Sequence, residues 1–377
     1  MFAQFSYGRK VVLLPLLAIS FSVASCSSPS NSASTSTQSP AASAGASASP
    51  AAAARVAQGG GTVSLTGAGA TFPAPLYQSW FSDYNKQNPN VQVSYQAVGS
   101  GAGVQQFTQG TVDFGASDVA MTDAEIAKVQ RGVVLLPMTA GAIVVAYNLP
   151  NVKSGLKLSR EVYPAIFQGQ IKTWNDPKIA QANPGVNLPN LPITIVHRSD
   201  GSGTTSVFTS HLSAISSQWK SQVGSGKTVN WPVGVGAKGN DGVTAQIQQT
   251  QGAIGYVEYG YATQNNVPFA TLQNKSGKYV EANAQTASDT LNAVKLPSNL
   301  RAFITDPTGA NSYSIVTYTW LLAYKNYPDA SKAKALKDVI NYGLTQGQQS
   351  SAKLGYVPLP SKVVQKVQAA VNSIGGS

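Results

Sequence analysis

The segment Arg198-Ser199-Asp200-Gly201-Ser202-Gly203-Thr204-Thr205 concentrates a cation, a carboxylate, hydroxyls and glycines in one short stretch. A guanidinium offers an oxyanion two parallel donors, and Asp200 stands close enough to pair with Arg198 and hold that fork in place. The hydroxyls of Ser202 and Thr204, with the amides after Gly201, then add neutral donors. The same residues also fit an Asx-type cap on an ordinary helix with Arg198 at the surface, and the segment alone does not choose. Two further glycine- or proline-flanked segments, Ala70-Thr71-Phe72-Pro73 and Gly99-Ser100-Gly101-Ala102-Gly103, read as helix starts. The first amides of a helix have no intrahelical acceptor and carry positive partial charge, which makes a helix start a ready anion site. Three such starts carrying Ser or Thr hydroxyls point to a tetrahedral anion as ligand.

Asp118, at the end of the run Val112-Asp113-Phe114-Gly115-Ala116-Ser117, is the odd member of this set. A carboxylate facing a bound anion repels it unless the anion still carries a proton. Phosphate near neutral pH does, and sulfate does not. An acceptor here bonds a phosphate O–H and sets a charge against a lone pair of sulfate, which is selection by a clash with the wrong ligand. Buried mismatches of this kind discriminate by about 10⁴ or more. Taken by itself, Asp118 equally fits a solvated residue at a strand end.

Other motifs lead elsewhere. Gly224-Ser225-Gly226-Lys227-Thr228 resembles the end of a P-loop, but Ser221 occupies the first glycine position and a polar stretch precedes it where a buried strand is needed. His197 and His211 have no cysteine or second histidine at ligand spacing, so neither a metal nor another cofactor is expected. His197 adjoins Arg198 but points the opposite way if the strand continues, which gives it a packing role. Ser202 lacks a nucleophile elbow. Two alternatives stay open: a binding protein for another oxyanion such as sulfate or molybdate, which Asp118 opposes, and a secreted phosphatase with Ser202 or Thr204 as nucleophile, which the missing metal ligands oppose.

These residues need elements to position them. Short β-branched runs alternate with helical patterns from Thr62 onward. Val63-Ser64-Leu65 leads to a helix that opens at Pro73, where a missing N–H costs nothing, and runs through Trp80 and Tyr84. Val91–Tyr95 and Val112–Ala116 read as strands around a short helix ending near Gly110. Thr122-Asp123-Ala124-Glu125 is a capping box for a helix through Gln130. Val133 to Tyr147, interrupted by Pro137 and Gly141, is a candidate crossover to a second lobe. A capped helix is expected near Ser159, strands at Ile193–Val196 and Ala253–Val257, a return strand within Tyr313–Tyr324, and final helices at 330–344 and 361–374, whose apolar spacing fits core docking. The alternation predicts an α/β fold with mainly parallel sheets. In such sheets ligands bind at the carboxyl ends of strands, where the three glycine segments fall.

The chain of 377 residues has room for about two domains of ordinary size. Charged residues make up 11%, well below the roughly 25% typical of globular proteins. The formal charge is +11, but the basic residues are scattered, with none of the clustering a nucleic-acid footprint needs. Gly8-Arg9-Lys10 and the apolar run Val11–Val23 form a secretion signal, residues 1–25, too short to span a membrane. Val23-Ala24-Ser25-Cys26 resembles a bacterial lipobox, which makes Cys26, the single cysteine, the site of a lipid anchor carrying diacylglycerol and palmitate. Residues 26–60, rich in Ser, Ala, Pro and Thr from Ser27 to Gln58, bury too little to order and read as a disordered tether. The remainder divides into lobe 1, residues 61–142 and 314–377, and lobe 2, residues 143–313.

Several long motifs then resemble the phosphate-binding protein of the bacterial ABC-type phosphate importer: Leu65 to Pro75, Val112 to Asp118, Arg198 to Thr204, Trp231-Pro232-Val233-Gly234 with Gly239-Asn240-Asp241-Gly242, and Gly252 to Tyr259. The resemblance covers essentially everything after the tether, with Lys275–Ser312 matching poorly. It implies a type II, Venus-flytrap periplasmic-binding-protein fold, two lobes hinged on two crossover strands and closing over dehydrated phosphate. Its ligand positions fall on Thr71, Phe72 (through its amide), Ser100, Asp118, Arg198, Ser202, Gly203 and Thr204, with Asp200 holding the arginine. The implied protein is no enzyme. It is an extracytoplasmic, membrane-tethered monomer that binds inorganic phosphate and delivers it to the permease and ATPase complex, with no nucleic acid as partner.

Overall fold

The structure, a computed structural model, describes residues 61–376. The leader of residues 1–25, the anchor at Cys26 and the tether of residues 26–60 lie outside the described residues. Eight strands build the principal sheet: β1 Val63–Gly69, β2 Val91–Ala97, β3 Phe114–Ser117, β4 Val133–Tyr147, β5 Thr194–Arg198, β6 Val235–Ala237, β7 Ala253–Glu258 and β8 Val316–Tyr324. Their order is β2-β1-β3-β8-β4-β7-β5-β6. The helices that concern the site and its support are α1 Ala74–Gln87, α2 Ser100–Gln109, α3 Gly203–Ile215, α4 Gly239–Gln249, α5 Tyr259–Gln264, α6 Ala330–Leu344 and α7 Ser361–Val371.

The sheet is parallel at its two flanks and antiparallel in the middle. β1 runs parallel to β2 and β3, and β5 runs parallel to β6 and β7. The pairings β3–β8, β8–β4 and β4–β7 are antiparallel. The expectation of mainly parallel sheets thus holds for each lobe and gives way at the crossover. The reason is directional: β4 carries the chain out of the first lobe and β8 brings it back, so the two must oppose. Val133–Ala142 of β4 pair with β8, and Ile143–Tyr147 pair with β7. One strand therefore belongs to both lobes. Every residue of β4 and β8 is buried, which is why both read as continuous apolar runs instead of alternating patterns. Pro137, which cannot donate to a ladder, sits where the β4–β8 register shifts and leaves Met138 as the extra residue.

Some expected elements differ in extent. The capping box at Thr122 and Glu125 forms with both its bonds, but its helix stops at Ile126, because tight turns at Val129 and Gly132 bend the chain and bury Val129. The helix expected from Ser159 begins at Val162, with the Ser159 carbonyl accepting from the Val162 and Tyr163 amides. The poorly matching stretch before β8 includes a helix, Ala284–Asn292, and then a segment tied to both lobes. Arg301 pairs with Asp123 at 2.7 Å and donates to the Met121 carbonyl, while Asp306 takes both arms of Arg160 at 2.7 and 2.9 Å.

Helix α2 lies on β1 and β3 at backbone distance. A Cβ added at Gly103 would stand 2.3 Å from the Gly69 Cα and 2.9 Å from the carbonyl oxygens of Ala68 and Ala116. Backbone cannot yield as a side-chain tip can, so Gly103→Ala is expected to cost about 1–3 kcal/mol of stability, read as a lowered denaturant midpoint. An unchanged midpoint would show that α2 has room to shift.

Candidate functional site

Four helix starts meet where the two lobes face each other. Pro73 precedes α1, and Phe72 behind it buries its ring against β4, where a Cβ on Gly141 would come within 2.8 Å of it. The Phe72 carbonyl accepts from the Tyr356 hydroxyl at 2.7 Å, and the Thr71 carbonyl accepts from Tyr261. Ser100 opens α2 behind Gly99, whose φ of +93° and whose 2.2 Å clearance between a hypothetical Cβ and Asp200 Oδ2 both require glycine. Gly203 opens α3. Ser202 is its cap, accepting from the Thr205 amide at 3.0 Å. The Gly203 and Thr204 amides, in the first turn, have no carbonyl one turn back to bond. The fourth start is that of α4, at Gly239 and Asn240.

Arg198 ends strand β5, whose Ile195 and Val196 are buried, and is itself 4% exposed. Its Nε donates to Asp200 Oδ1 at 2.7 Å, one terminal nitrogen donates to Oδ2 at 2.6 Å, and the other reaches Thr204 Oγ1 at 3.5 Å. Asp200 also accepts from the Gly239 amide at 3.1 Å. Burial alone would raise the Asp200 carboxyl, but the Arg198 fork outweighs it and holds the group below the usual carboxylate range. Asp200 is therefore the partner of the arginine and not the cap of α3, which is Ser202, and Arg198 is not at the surface.

Asp118 follows β3 and is buried to 2% exposure. Thr319 Oγ1 donates to its Oδ1 at 2.9 Å, Ser100 Oγ to its Oδ2 at 3.3 Å, and Thr317 Oγ1 to its carbonyl at 3.1 Å. Burial nevertheless dominates. It pushes the carboxyl from 3.8 up to about 7, against the pull of Thr319, the Arg198 charge, Ser100 and Thr204. The opposite lobe touches it directly: a Cβ on Gly203 would fall 2.5 Å from Ser100 Oγ and 2.8 Å from Asp118 Oδ2. Beside this contact the Gly101 amide donates to the Gly201 carbonyl at 2.7 Å, a backbone bond from one lobe to the other.

The structure thus gathers Ser100, Asp118, Arg198, Gly203 and Thr204 at one buried place and links Thr71 to them through a residue the sequence reading did not single out. Asn240 donates to Thr71 Oγ1 from its amide at 3.1 Å and from Nδ2 at 2.8 Å, and Nδ2 stands 3.4 Å from Thr204 Oγ1. The signal that marks Asn240 is the helix start Gly239-Asn240-Asp241-Gly242, a fourth member of the same class. Thr317 and Thr319 carry no local signal, since they sit inside an apolar run. Glu258, fully buried at the end of β7, accepts from the Gly260 amide, its Oε1 is without a partner among the described residues, and burial lifts its carboxyl well above the ordinary range.

The P-loop-like segment has a different occupation. Lys227 pairs with Glu125 of the other lobe at 2.7 Å, and its carbonyl accepts from the Ser202 amide. His197 stacks on Trp231 with ring centroids 4.9 Å apart, and His211 is buried between the Tyr163 hydroxyl and the Thr305 carbonyl.

A family model described as the PBP superfamily domain matches residues 34–346. Over 309 residues the chain is 44% identical to the phosphate-binding protein PstS of Pasteurella multocida, covering 81% of this chain and 89% of that one. The chain belongs to the phosphate-binding protein family of ABC-type transporters. A family member from Methanocaldococcus jannaschii is 40% identical over 337 residues, covering 83% and 87%, and PstS 2 of Mycobacterium tuberculosis is 32% identical over 329, covering 84% and 88%. Among solved structures, a high affinity periplasmic phosphate-binding protein, PfluDING, bound with phosphate, is similar in fold with a TM-score of 0.67 at 21% identity, covering 81% of this chain and 93% of that one. The phosphate binding protein of Stenotrophomonas maltophilia gives 0.64 at 19%, covering 82% and 94%. Both fit the two-lobed fold hinged on β4 and β8. Among the described residues no helix is long and apolar enough to cross a membrane.

The buried carboxyl of Asp118 makes ligand-free stability depend on pH with a definite sign. Its folded-state value of about 7 lies above its ordinary 3.8, so its contribution is complete below the ordinary value, falls as pH rises from there and is fully lost once pH passes about 7, on the order of 4 kcal/mol in all. Asp118→Asn is expected to make the ligand-free protein more stable than the parent at pH 8, with that advantage shrinking at pH 5, as thermal unfolding would measure. Equal pH slopes in the two proteins would mean the carboxyl is not desolvated.

Proposed function

We propose that this protein binds inorganic phosphate outside the cytoplasmic membrane and hands it to an ABC-type phosphate permease and ATPase complex, performing no chemistry of its own. The observation that carries the reading is a buried carboxyl, Asp118, beside a buried guanidinium, Arg198, at the meeting of helix starts. A site for sulfate has use for the cation and the amides but none for the acceptor. Phosphate uses all of them, placing its remaining O–H on Asp118 and its bare oxygens on the donors. The relatives' names support the same ligand. The proposed ligand set is Thr71, the Phe72 amide, Ser100, Asp118, Arg198, Ser202, Gly203 and Thr204, with Asp200 fixing the arginine.

The organisation goes with this reading. Residues 1–25 are the leader, Cys26 the lipid attachment point and 26–60 the tether of a monomer. Residues 61–142 with 314–377 form lobe 1, and 143–313 form lobe 2. The switch of β4 from β8 to β7 pairing after Ala142 supports the first of these boundaries. Closure brings Lys227 to Glu125 and the Gly101 amide to the Gly201 carbonyl, contacts available only when the lobes meet.

Calorimetric titration with phosphate and sulfate tests the proposal, and comparable affinity for both would refute the role of Asp118. Sulfate brings no proton, so its binding must protonate Asp118. Above pH about 7 its affinity is expected to fall by about tenfold per pH unit and to level off below, while phosphate supplies its own proton and does not follow that slope. Arg198→Ala is expected to weaken phosphate at least tenfold, the scale of one lost charge-assisted bond at about 1.4 kcal/mol or more. Release of chromophore from a chromogenic phosphate ester would instead favour a phosphatase.

A further inference from the structure

We infer that Asn240 is a positioning residue that fixes the direction of two threonine hydroxyls, Thr71 from one lobe and Thr204 from the other, so that both can only donate into the cleft. The inference rests on the phosphate reading and deepens it.

The orientation of the Asn240 amide is decided by its surroundings. Asn240 is fully buried, and its Oδ1 accepts from the backbone amide of Glu258 at 3.0 Å. A peptide N–H is always a donor, so the oxygen of the side chain must face Glu258 and Nδ2 must face the threonines. Thr71 Oγ1 then receives two N–H donors, the Asn240 amide at 3.1 Å and Nδ2 at 2.8 Å. A hydroxyl has two lone pairs and one proton. With both lone pairs turned toward Asn240, Thr71 has only its proton to offer.

Thr204 is placed the same way at longer range. Its Oγ1 faces Asn240 Nδ2 at 3.4 Å and an Arg198 terminal nitrogen at 3.5 Å, both obligate donors, so its proton is turned to the acceptors on the cleft side, where the Asp118 carboxyl already draws on it. The oxygens of an anion that carry no proton are such acceptors. Asn240 and Asp118 therefore divide the tetrahedron between them: Asp118 accepts from the protonated oxygen, and the two threonines donate to bare ones. Because Asn240 spans from its own lobe to Thr71 on the other, it also couples this polarity to closure.

Asn240→Asp is the sharpest test, since one carboxylate oxygen keeps the Glu258 bond while the other replaces the Nδ2 donor with an acceptor of the same shape. In calorimetric titration of the full-length protein with inorganic phosphate, N240D is expected to bind at least tenfold more weakly than wild type. Thr71→Val, which leaves Asn240 in place, is expected to lose at least tenfold as well, and it carries the test if N240D does not fold. The double variant separates positioning from mere support: if Asn240 acts through Thr71, N240D costs much less in the T71V background than alone, whereas a structural role gives additive losses. N240D or T71V within threefold of wild type, or strict additivity, would overturn the inference and leave the phosphate reading standing. Failure of the wild-type protein itself to bind phosphate would remove the reading on which it rests.

Discussion

A guanidinium buried to 4% exposure cannot stand alone, and the Arg198–Asp200 pair is the constraint around which the rest of the site is arranged. Leaving a buried cation unpaired costs several kcal/mol, on the order of 3–5 when one partner is removed, so the chain supplies its counter-ion two residues away, on the same turn. That choice has consequences in three other segments. Asp200 takes up the space where a side chain at residue 99 would stand, so the start of α2 needs glycine. Its Oδ1, besides accepting from Arg198 Nε, accepts from the Gly239 amide, which seats the start of α4. With both carboxylate oxygens engaged by two donors of the guanidinium, the remaining terminal nitrogen of Arg198 turns toward Thr204 and the cleft.

Asp118 is the counterpart of opposite logic. Its environment gives it neutral hydroxyl donors and no bidentate cation, so burial wins and the carboxyl is held near pH 7. Two acids in one cleft thereby differ: Asp200 is committed to charge by its partner, and Asp118 is left poised to share a proton. Environment, not residue type, separates the two.

The glycines belong to closure more than to flexibility. At Gly101 and Gly201 the two lobes approach backbone to backbone, and at Gly203 any side chain would strike Ser100 and Asp118. Removing Cβ lets amides from one lobe reach ligands or carbonyls of the other at hydrogen-bond distance. The pairing of Lys227 with Glu125 sits on the same opposed surfaces, where a lysine that resembles part of a nucleotide loop serves as a cross-lobe contact.

Local pattern alone determined most of the elements here. Pro73, Gly99, Gly110 and the β-branched runs act within a few residues of themselves, so helix starts and strands could be read from the chain, as could the chemistry of Arg198 beside Asp200 and the oddity of Asp118. The sequence was less informative wherever a residue's role depends on a neighbour far along the chain. The antiparallel centre of the sheet depends on β8 returning beside β4. The support of Asp118 comes from Thr317 and Thr319, about two hundred positions away, hidden in a run whose apolar neighbours mark only burial. Asn240 looks like any polar residue at a helix start until the fold sets it between Thr71 and Thr204. Hydrogen bonds and desolvation act over a few ångströms in space, and only the tertiary structure decides which residues those ångströms contain.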